Sequence, residues 1–171
     1  MATRKKSNLT LPFKPGDSVV YPTHGVGKIT AVQKQEIAGH KLELYVIIFD
    51  RDRMTLRVPI KKVDASGLRK LSSKKEMDEA IQTLKGRARI KRSMWSRRAA
   101  EYDTKINSGD PVSIAEVIRD LHRNVGQPDQ SFSERQIYEE ARERLASELA
   151  AIEKINVEIA IEKLEEHLNV E

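Results

Sequence analysis

Residues 42–61 read LELYVIIFDRDRMTLRVPIK, and this stretch decides the fold of the first half of the chain. From residue 54 onward, apolar and polar side chains alternate. The apolar ones are Met54, Leu56, Val58 and Ile60. A period of two is typical of a strand with one buried face, so we expect Arg57 on the solvent face.

The residues before this strand predict further strands. LELYVIIF at 42–49 is an apolar, β-rich run, and VGKITAVQKQEI at 26–37 precedes it across a short turn. The opening GDSVVYPTHGVGKI at 16–29 has glycines where a small barrel needs sharp bends. These glycines are Gly16, Gly25 and Gly27. Four or five short strands over residues 14–71 predict an SH3-like or Tudor-like barrel.

After Leu71 the apolar period becomes helical, so the fold class is α+β with an all-α domain over residues 72–171. A flexible basic tail is expected over residues 1–13. Helix starts are expected at the capping box of Ser73 and Glu76, at Ser93, at Asp110 before Pro111, and at the capping box of Ser133 and Gln136. Residues 124–131 are expected to form a loop, and the last helical segment continues or bends near Asn156.

The composition excludes several classes of protein. The 171 residues include no cysteine, which removes disulfides and thiolate chemistry. No apolar run approaches the roughly 20 residues of a membrane-spanning helix. The basic start MATRKKSNLT has no apolar stretch after it, so no signal peptide is expected and a cytoplasmic location is favoured.

The net charge of +5 is unevenly distributed. From Glu134 onward, eleven Glu stand against five basic residues, a net of −6, so residues 1–133 carry +11. The densest positive segment is residues 85–98, with seven Lys or Arg and no acidic residue. This segment is either an ordinary solvated surface or a patch that binds a polyanion, and its composition alone leaves both open.

The sequence offers little to support catalysis. The four histidines, His24, His40, His122 and His167, lie in different elements without the spacing of metal ligands. No phosphate-binding glycine loop or nucleophile motif is present. We therefore expect no enzyme activity, no cofactor and no metal.

Trp95 is the one tryptophan of the chain, and basic residues flank it on both sides. Lys and Arg contacts to phosphates dominate affinity for nucleic acid, and a large apolar side chain beside them can wedge against base steps. An equally simple interpretation is a buried helical stripe. Its members would be Trp95, Ala99, Tyr102 and Ile106. Trp95 lies in the first helical turn among five cations, and this position modestly favours exposure of its side chain.

The chain resembles the CarD and CdnL transcription regulators of bacteria over nearly its whole length. The motifs that carry the resemblance are GDSVVYPTHGVG at 16–27, TLRVP at 55–59, WSRR at 95–98, NSGD at 107–110 and AEVIRDL at 115–121. The resemblance implies a barrel that docks on the β subunit of RNA polymerase and a helical domain that contacts promoter DNA at the upstream edge of the transcription bubble. Such an adaptor stabilises the open complex, needs no cofactor, can act as a monomer and associates with the nucleoid through polymerase.

The resemblance also implies roles for individual residues. Trp95 matches the family's minor-groove wedge, and Arg57 matches a position that contacts polymerase. Gln35 stands at a polymerase-contacting position where some members have a basic residue. Ala100 replaces a lysine found near the tryptophan in some relatives, which implies either weaker DNA binding or a larger share of the contact for Lys91 and Arg92. The expected DNA-contacting cations are Arg89, Lys91, Arg92, Arg97 and Arg98.

The main rival hypothesis is a KOW-like, ribosome-associated or general RNA-binding protein, since the same type of barrel occurs there. It would bind RNA with comparable affinity in the absence of polymerase. An enzyme is a distant third.

Overall fold

The structure is a computed structural model that describes residues 13–89, 92–122 and 131–168. Most of the predicted basic tail therefore lies outside the described residues, as do Lys91 and most of the predicted loop at 124–131. The fold is a five-stranded antiparallel sheet followed by helices, which confirms the predicted Tudor-like barrel and helical region. No helix within the described ranges is long and apolar enough to cross a bilayer.

The strands are β1 (Ser18–Tyr21), β2 (Gly25–Ile37), β3 (His40–Phe49), β4 (Met54–Pro59) and β5 (Arg69–Lys70). The sheet has the strand order β4-β3-β2-β1-β5, with every neighbouring pair antiparallel. We call β1–β5, with the short helix between β4 and β5, the barrel. In the centre, Ile47 of β3 lies opposite Ile29 of β2 and Leu56 of β4. A register shift between Ile29 and Ala31 bends β2 at this point.

The alternation predicted for β4 is confirmed, but its predicted end is wrong. Val58 is buried while Arg57 is exposed. Ile60 does not continue the strand and instead begins a 3₁₀ turn, Ile60–Lys62, which leads into α1 (Val63–Ser66). The reason is Pro59, whose nitrogen carries no hydrogen to donate to a further ladder bond.

The three barrel glycines serve two different purposes. Gly16 and Gly25 have φ angles of +96° and +80°, as expected for bends. Gly27 instead makes room for the core, because a Cβ there would stand 2.6 Å from the Cγ2 atom of Ile47 and 2.8 Å from the Cε1 atom of Phe49. The expectation that Gly27 forms a bend is therefore wrong, and close packing explains its presence.

Phe13 belongs to the barrel, although the prediction assigned it to the tail. Its side chain is buried and meets the Tyr45 ring edge to face at 5.9 Å. The Phe13 N–H donates to the Tyr45 hydroxyl at 3.2 Å, and that hydroxyl lies 3.2 Å from the Phe13 carbonyl oxygen, which accepts from it. These contacts fix the chain at its entry into β1.

The helical region is built around one apolar core. Its helices are α2 (Lys74–Leu84), α3 (Trp95–Asn107), α4 (Pro111–His122), α5 (Phe132–Glu153) and α6 (Val157–Leu168). The cap at Ser73 is confirmed, since its side chain accepts the Glu76 N–H. Asp110 likewise accepts the Ser113 N–H at the start of α4.

Two predicted helix starts are wrong, and the predicted bend is confirmed. Helix α5 begins two residues earlier than expected, because Ser131 accepts the Glu134 N–H and forms the cap instead of Ser133. The cap of α3 is Met94 instead of Ser93, and no side chain hydrogen bond closes it. Helix α5 ends at Glu153, its C-cap residue Lys154 has a φ of +56°, and α6 starts at Val157.

Candidate nucleic-acid interface and docking face

The first turn of α3 has the features of an anion-binding site. Its N-cap residue, Met94, makes no side-chain cap hydrogen bond, and no acidic residue lies in the first turn. The helix dipole places partial positive charge at this end, and the first backbone N–H groups of a helix have no intrahelical partner. The Met94 side chain is 79% exposed, so an apolar side chain stands beside the cations.

Trp95 is half-buried, so each of the two sequence interpretations is partly right. The predicted stripe exists: Tyr102 and Ile106 are buried in the helical core, and Trp95 and Ala99 pack against that core. The indole lies 6.3 Å from the Tyr102 ring at an interplanar angle of 48°. Trp95 is therefore the outermost member of the stripe, supported from within the protein and open to solvent on part of its surface.

The described cations around Trp95 differ in exposure. Arg89, Arg92 and Arg97 are exposed, whereas Arg98 is half-buried. The Arg98 Cζ atom lies 5.3 Å from the centroid of the Trp95 ring, a cation–π arrangement. The structure thus brings Arg97, Arg98 and Trp95 together in the first turn of one helix, with Arg92 just before it.

A buried aspartate holds the basic segment before α3 against the helical core. Asp120 of α4 is 4% exposed, and its Oδ1 atom accepts the Arg89 N–H at 2.9 Å and the Arg119 Nε–H at 3.0 Å. Because the backbone of Arg89 is bound in this way, its exposed side chain leaves the protein from a defined position. The sequence prediction missed Asp120.

The predicted polymerase-contacting residues lie on one face of the sheet. Arg57 of β4 lies opposite Val46 of β3, and Gln35 of β2 lies opposite Leu42 of β3. Val46 and Leu42 are four residues apart on one strand and face the same way, so Arg57 and Gln35 lie on the same side of the sheet. Both are exposed. Between them, Gln33 accepts the Arg57 Nε–H at 3.2 Å. We call Gln33, Gln35 and Arg57 the docking face; it is polar, and Arg57 lies on β4, at one end of the strand order.

Glu148 of α5 joins the helical region to the barrel. Its side chain is 4% exposed, and its two carboxylate oxygens accept from Arg69 of β5 at 2.8 and 3.0 Å. The Ser72 N–H donates to the same carboxylate at 2.8 Å. Arg69 also donates to the Gly109 carbonyl, in the turn after α3, at 2.6 Å. One buried carboxylate therefore organises the end of the barrel and the end of α3.

Arg144, one turn before Glu148, makes a second set of bonds between the two parts. It donates to the carbonyl oxygens of Pro22 and Thr23 in the β1–β2 turn, at 3.0 and 2.5 Å, and to Glu140 at 3.0 Å. It also reaches the carbonyl oxygen of Ile106 in the last turn of α3 at 3.4 Å. Burial lowers the pKa of the Arg144 guanidinium, and the nearby Glu140 carboxylate opposes this shift.

Helix α3 therefore connects the barrel to the Trp95 site. Its last turn is bonded to Arg144, and its first turn carries Trp95 and the cations. Thirteen residues at about 1.5 Å each make it roughly 20 Å long. The interdomain bonds thus fix the distance and direction between the barrel and the indole.

The histidines do not form a metal site in the described part of the chain, where no group of three or more potential ligands occurs. His24 stacks on Tyr21 at 5.4 Å, and His122 shares a 3.0 Å hydrogen bond with Tyr138. His167 lines a cavity of about 260 Å³ in which Lys163 is already paired with Glu153. His24 and His122 thus make ordinary structural contacts.

Comparison with known proteins gives the class. Residues 13–72 match the family described as CarD-like/TRCF RID domain, and residues 79–165 match the family described as CarD, C-terminal domain. YdeB of Bacillus subtilis (strain 168), described provisionally as a transcription factor, is 31% identical over 143 residues, which are 84% of this chain and 94% of YdeB. The family is thus one of transcription factors and not of enzymes.

The chain belongs to the CarD/CdnL family. Two solved structures are similar to its first part. The solution structure of the N-terminal domain of Myxococcus xanthus CarD is 40% identical and covers 34% of this chain and 77% of its own, with a TM-score of 0.30. CdnLNt from the same organism is 39% identical and covers 36% of this chain and 87% of its own, with a TM-score of 0.32.

Asp120 and Glu148 position the site but were not among the predicted residues, although the sequence carries a signal for them. Asp120 and Glu148 each precede a buried leucine and fall on the apolar face of their helix. A carboxylate at such a position must find a partner inside the protein, since an unpaired buried charge is costly. That pattern predicts a buried ion pair, but it does not predict which cation completes it.

Proposed function

We propose that this protein docks on the β subunit of RNA polymerase through the docking face and stabilises the promoter open complex. The helical region contacts DNA at the upstream edge of the bubble, where the indole of Trp95 wedges into the minor groove and the surrounding basic side chains hold the backbone. The observation that carries the proposal lies at the start of α3: exposed Arg92 and Arg97 stand beside a partly open tryptophan, and the first turn has no acidic residue.

Each part of this interface matches the chemistry of DNA contact. Arg89, Arg92 and Arg97 are free to neutralise phosphates, and each neutralised phosphate contributes about 0.9 to the logarithmic salt slope of binding. Lys91 is assigned to the same interface from the sequence. An apolar side chain inserted between base steps costs a few kcal/mol of unstacking, and this cost is smallest where the duplex is already opening.

The mechanism requires no catalysis. A protein that binds the open complex more tightly than the closed one shifts their equilibrium by the difference in binding free energy, and a difference of about 1.4 kcal/mol gives a tenfold shift. Contact with polymerase raises the effective concentration of the helical region near the promoter, so weak DNA contacts suffice. The bonds of Arg144 and Glu148 support this proposal because they set a fixed geometry between the two contact surfaces.

The proposal is tested with two substitutions. Trp95→Ala is expected to keep polymerase binding and lose most of the increase in open-complex lifetime in a purified transcription assay. Arg57→Glu is expected to weaken binding to an isolated fragment of the β subunit. Its matched control is Lys41→Glu, an exposed cation on the opposite side of the same sheet, which should leave that binding unchanged.

Three results would contradict the proposal. A Trp95→Ala protein that prolongs the open complex as well as the parent protein would remove the wedge. If Arg57→Glu and Lys41→Glu weaken binding to the β-subunit fragment equally, the docking face is not the binding surface and the change reflects only the overall charge. Tight binding to RNA without polymerase, together with sedimentation on ribosomes, would favour the KOW-like alternative.

A further inference from the structure

The two arginines that follow Trp95 have different surroundings. Arg97 is exposed. Arg98 lies three residues after Trp95, on the same side of α3, and its guanidinium stands over the indole at 5.3 Å. The Arg98 Nε atom is buried and has no hydrogen-bond partner within the described part of the chain.

This placement is unusual for a side chain whose role is to bind phosphate. An arginine that serves as a phosphate contact extends into solvent, where all its N–H groups stay hydrated until DNA arrives. The guanidinium of Arg98 instead lies against an aromatic ring, which its planar and weakly hydrated group suits well. A lysine ammonium has the same charge but lacks the planar, weakly hydrated group that suits an aromatic face.

The indole therefore has two neighbours that restrict its orientation, one aromatic and one cationic. Tyr102, two helical turns further on, is buried and lies 6.3 Å away ring to ring. Arg98 is the second neighbour, and its Cζ atom lies 5.3 Å from the centroid of the indole ring. Fixing a side chain before binding removes the ordering cost that would otherwise weaken the complex.

We propose that Arg98 is a positioning residue for Trp95: its guanidinium holds the indole in the orientation that meets DNA, while Arg97 makes the phosphate contact. This inference rests on the proposed function for its DNA step only. The hold of Arg98 on the indole is a property of the free protein and can be measured without DNA.

The first experiment uses tryptophan fluorescence. Because Trp95 is the only tryptophan of the chain, all indole emission reports on this site. Quenching by acrylamide, which is neutral and insensitive to local charge, should increase in Arg98→Lys and in Arg98→Gln, and the emission maximum should move to longer wavelength. Arg97→Gln is the matched control and should leave both quantities at the values of the parent protein. Circular dichroism confirms that all variants are folded.

The second experiment measures affinity for a short DNA duplex with an unpaired central segment over a range of salt concentrations. Arg98→Lys and Arg98→Gln should both weaken binding about threefold to tenfold with an unchanged salt slope, because an ordered indole is lost and no phosphate contact is removed. Arg97→Gln should lower the slope by about 0.9, the value for one phosphate.

Two results would overturn the inference. Unchanged acrylamide quenching in both Arg98 variants would show that Arg98 does not hold the indole. A fall in salt slope for Arg98→Gln that equals the fall for Arg97→Gln would make Arg98 a phosphate contact. Equal DNA affinity of Trp95→Ala and the parent protein would refute the proposed function instead, and the quenching result would still decide the role of Arg98 in the free protein.

Discussion

Replacement of Glu148 by glutamine tests how firmly the helical region is fixed to the barrel. The glutamine side chain has nearly the same shape, so the change removes charge and one acceptor while leaving the packing of α5 intact. Glu148 now accepts three hydrogen bonds, two from Arg69 and one from the Ser72 N–H, at 2.8 to 3.0 Å. A glutamine amide can accept with its oxygen only. Its NH₂ group is itself a donor and would face an N–H donor of Arg69 or Ser72.

The expected cost follows from burial. Breaking one partner of a buried ion pair costs about 3–5 kcal/mol when the remaining charge stays buried. The Arg69 side chain is 31% exposed, so water can solvate part of the released guanidinium and reduce this cost. We expect the free energy of unfolding to fall by about 2–3 kcal/mol, which lowers the urea midpoint by about 1–1.5 M at a slope of about 2 kcal/mol per M.

The matched control is Glu143→Gln on the same helix. Glu143 also pairs with the barrel, through Arg51 at 2.9 Å, but its side chain is 41% exposed and that of Arg51 is 35% exposed. Exposed pairs contribute about 0–1 kcal/mol, so the urea midpoint should hardly move. Urea unfolding followed by circular dichroism compares the two variants. Equal midpoints for Glu148→Gln and Glu143→Gln would refute the argument that burial makes the Glu148 pair the stronger interdomain bond.

Three further outcomes are expected. Asp120→Ala should cost about 2–4 kcal/mol in urea unfolding, since it leaves a buried cation unpaired, and should speed amide exchange at Arg89. Gly27→Ala should cost about 1–3 kcal/mol in the same assay, because the added Cβ would stand 2.6 Å from a core side chain. Burial raises the pKa of Tyr138 and of Tyr45 in the folded protein. The unfolded chain therefore loses these protons first as the pH rises, so the free energy of unfolding should decline above a pH of about 10. Tyr138→Phe should make this decline smaller when urea unfolding is measured at a series of pH values.

Local sequence signals were sufficient for most elements of the fold. The alternation around Arg57 placed that side chain on the solvent face correctly, because period two reflects the pleat of the strand itself. The capping pattern at Ser73 gave the correct start of α2. The signal was ambiguous at Ser131 and Ser133, since two serines two residues apart can each cap the helix, and the structure uses the first.

Burial of Trp95 could not be predicted from its own helix. The stripe from Trp95 to Ile106 defines a face, but the extent to which the first turn is covered depends on how far the rest of the helical core reaches. The core covers Tyr102 fully and Trp95 only in part. The candidate cations were found by counting charges, whereas the contact of Arg98 with the indole depends on side-chain placement that counting does not give.

The sequence by itself determined the order and type of most elements and the chemistry of the first turn of α3, because these depend on residues within a few positions of one another. It also indicated the family, through several short motifs in a fixed order along the chain. Only the tertiary structure decided how the barrel and the helical region are joined. Arg69 and Glu148 are 79 residues apart, and Arg144 and Pro22 are 122 apart. A local pattern shows that a buried charge needs a partner, but packing of whole elements selects which distant group supplies it.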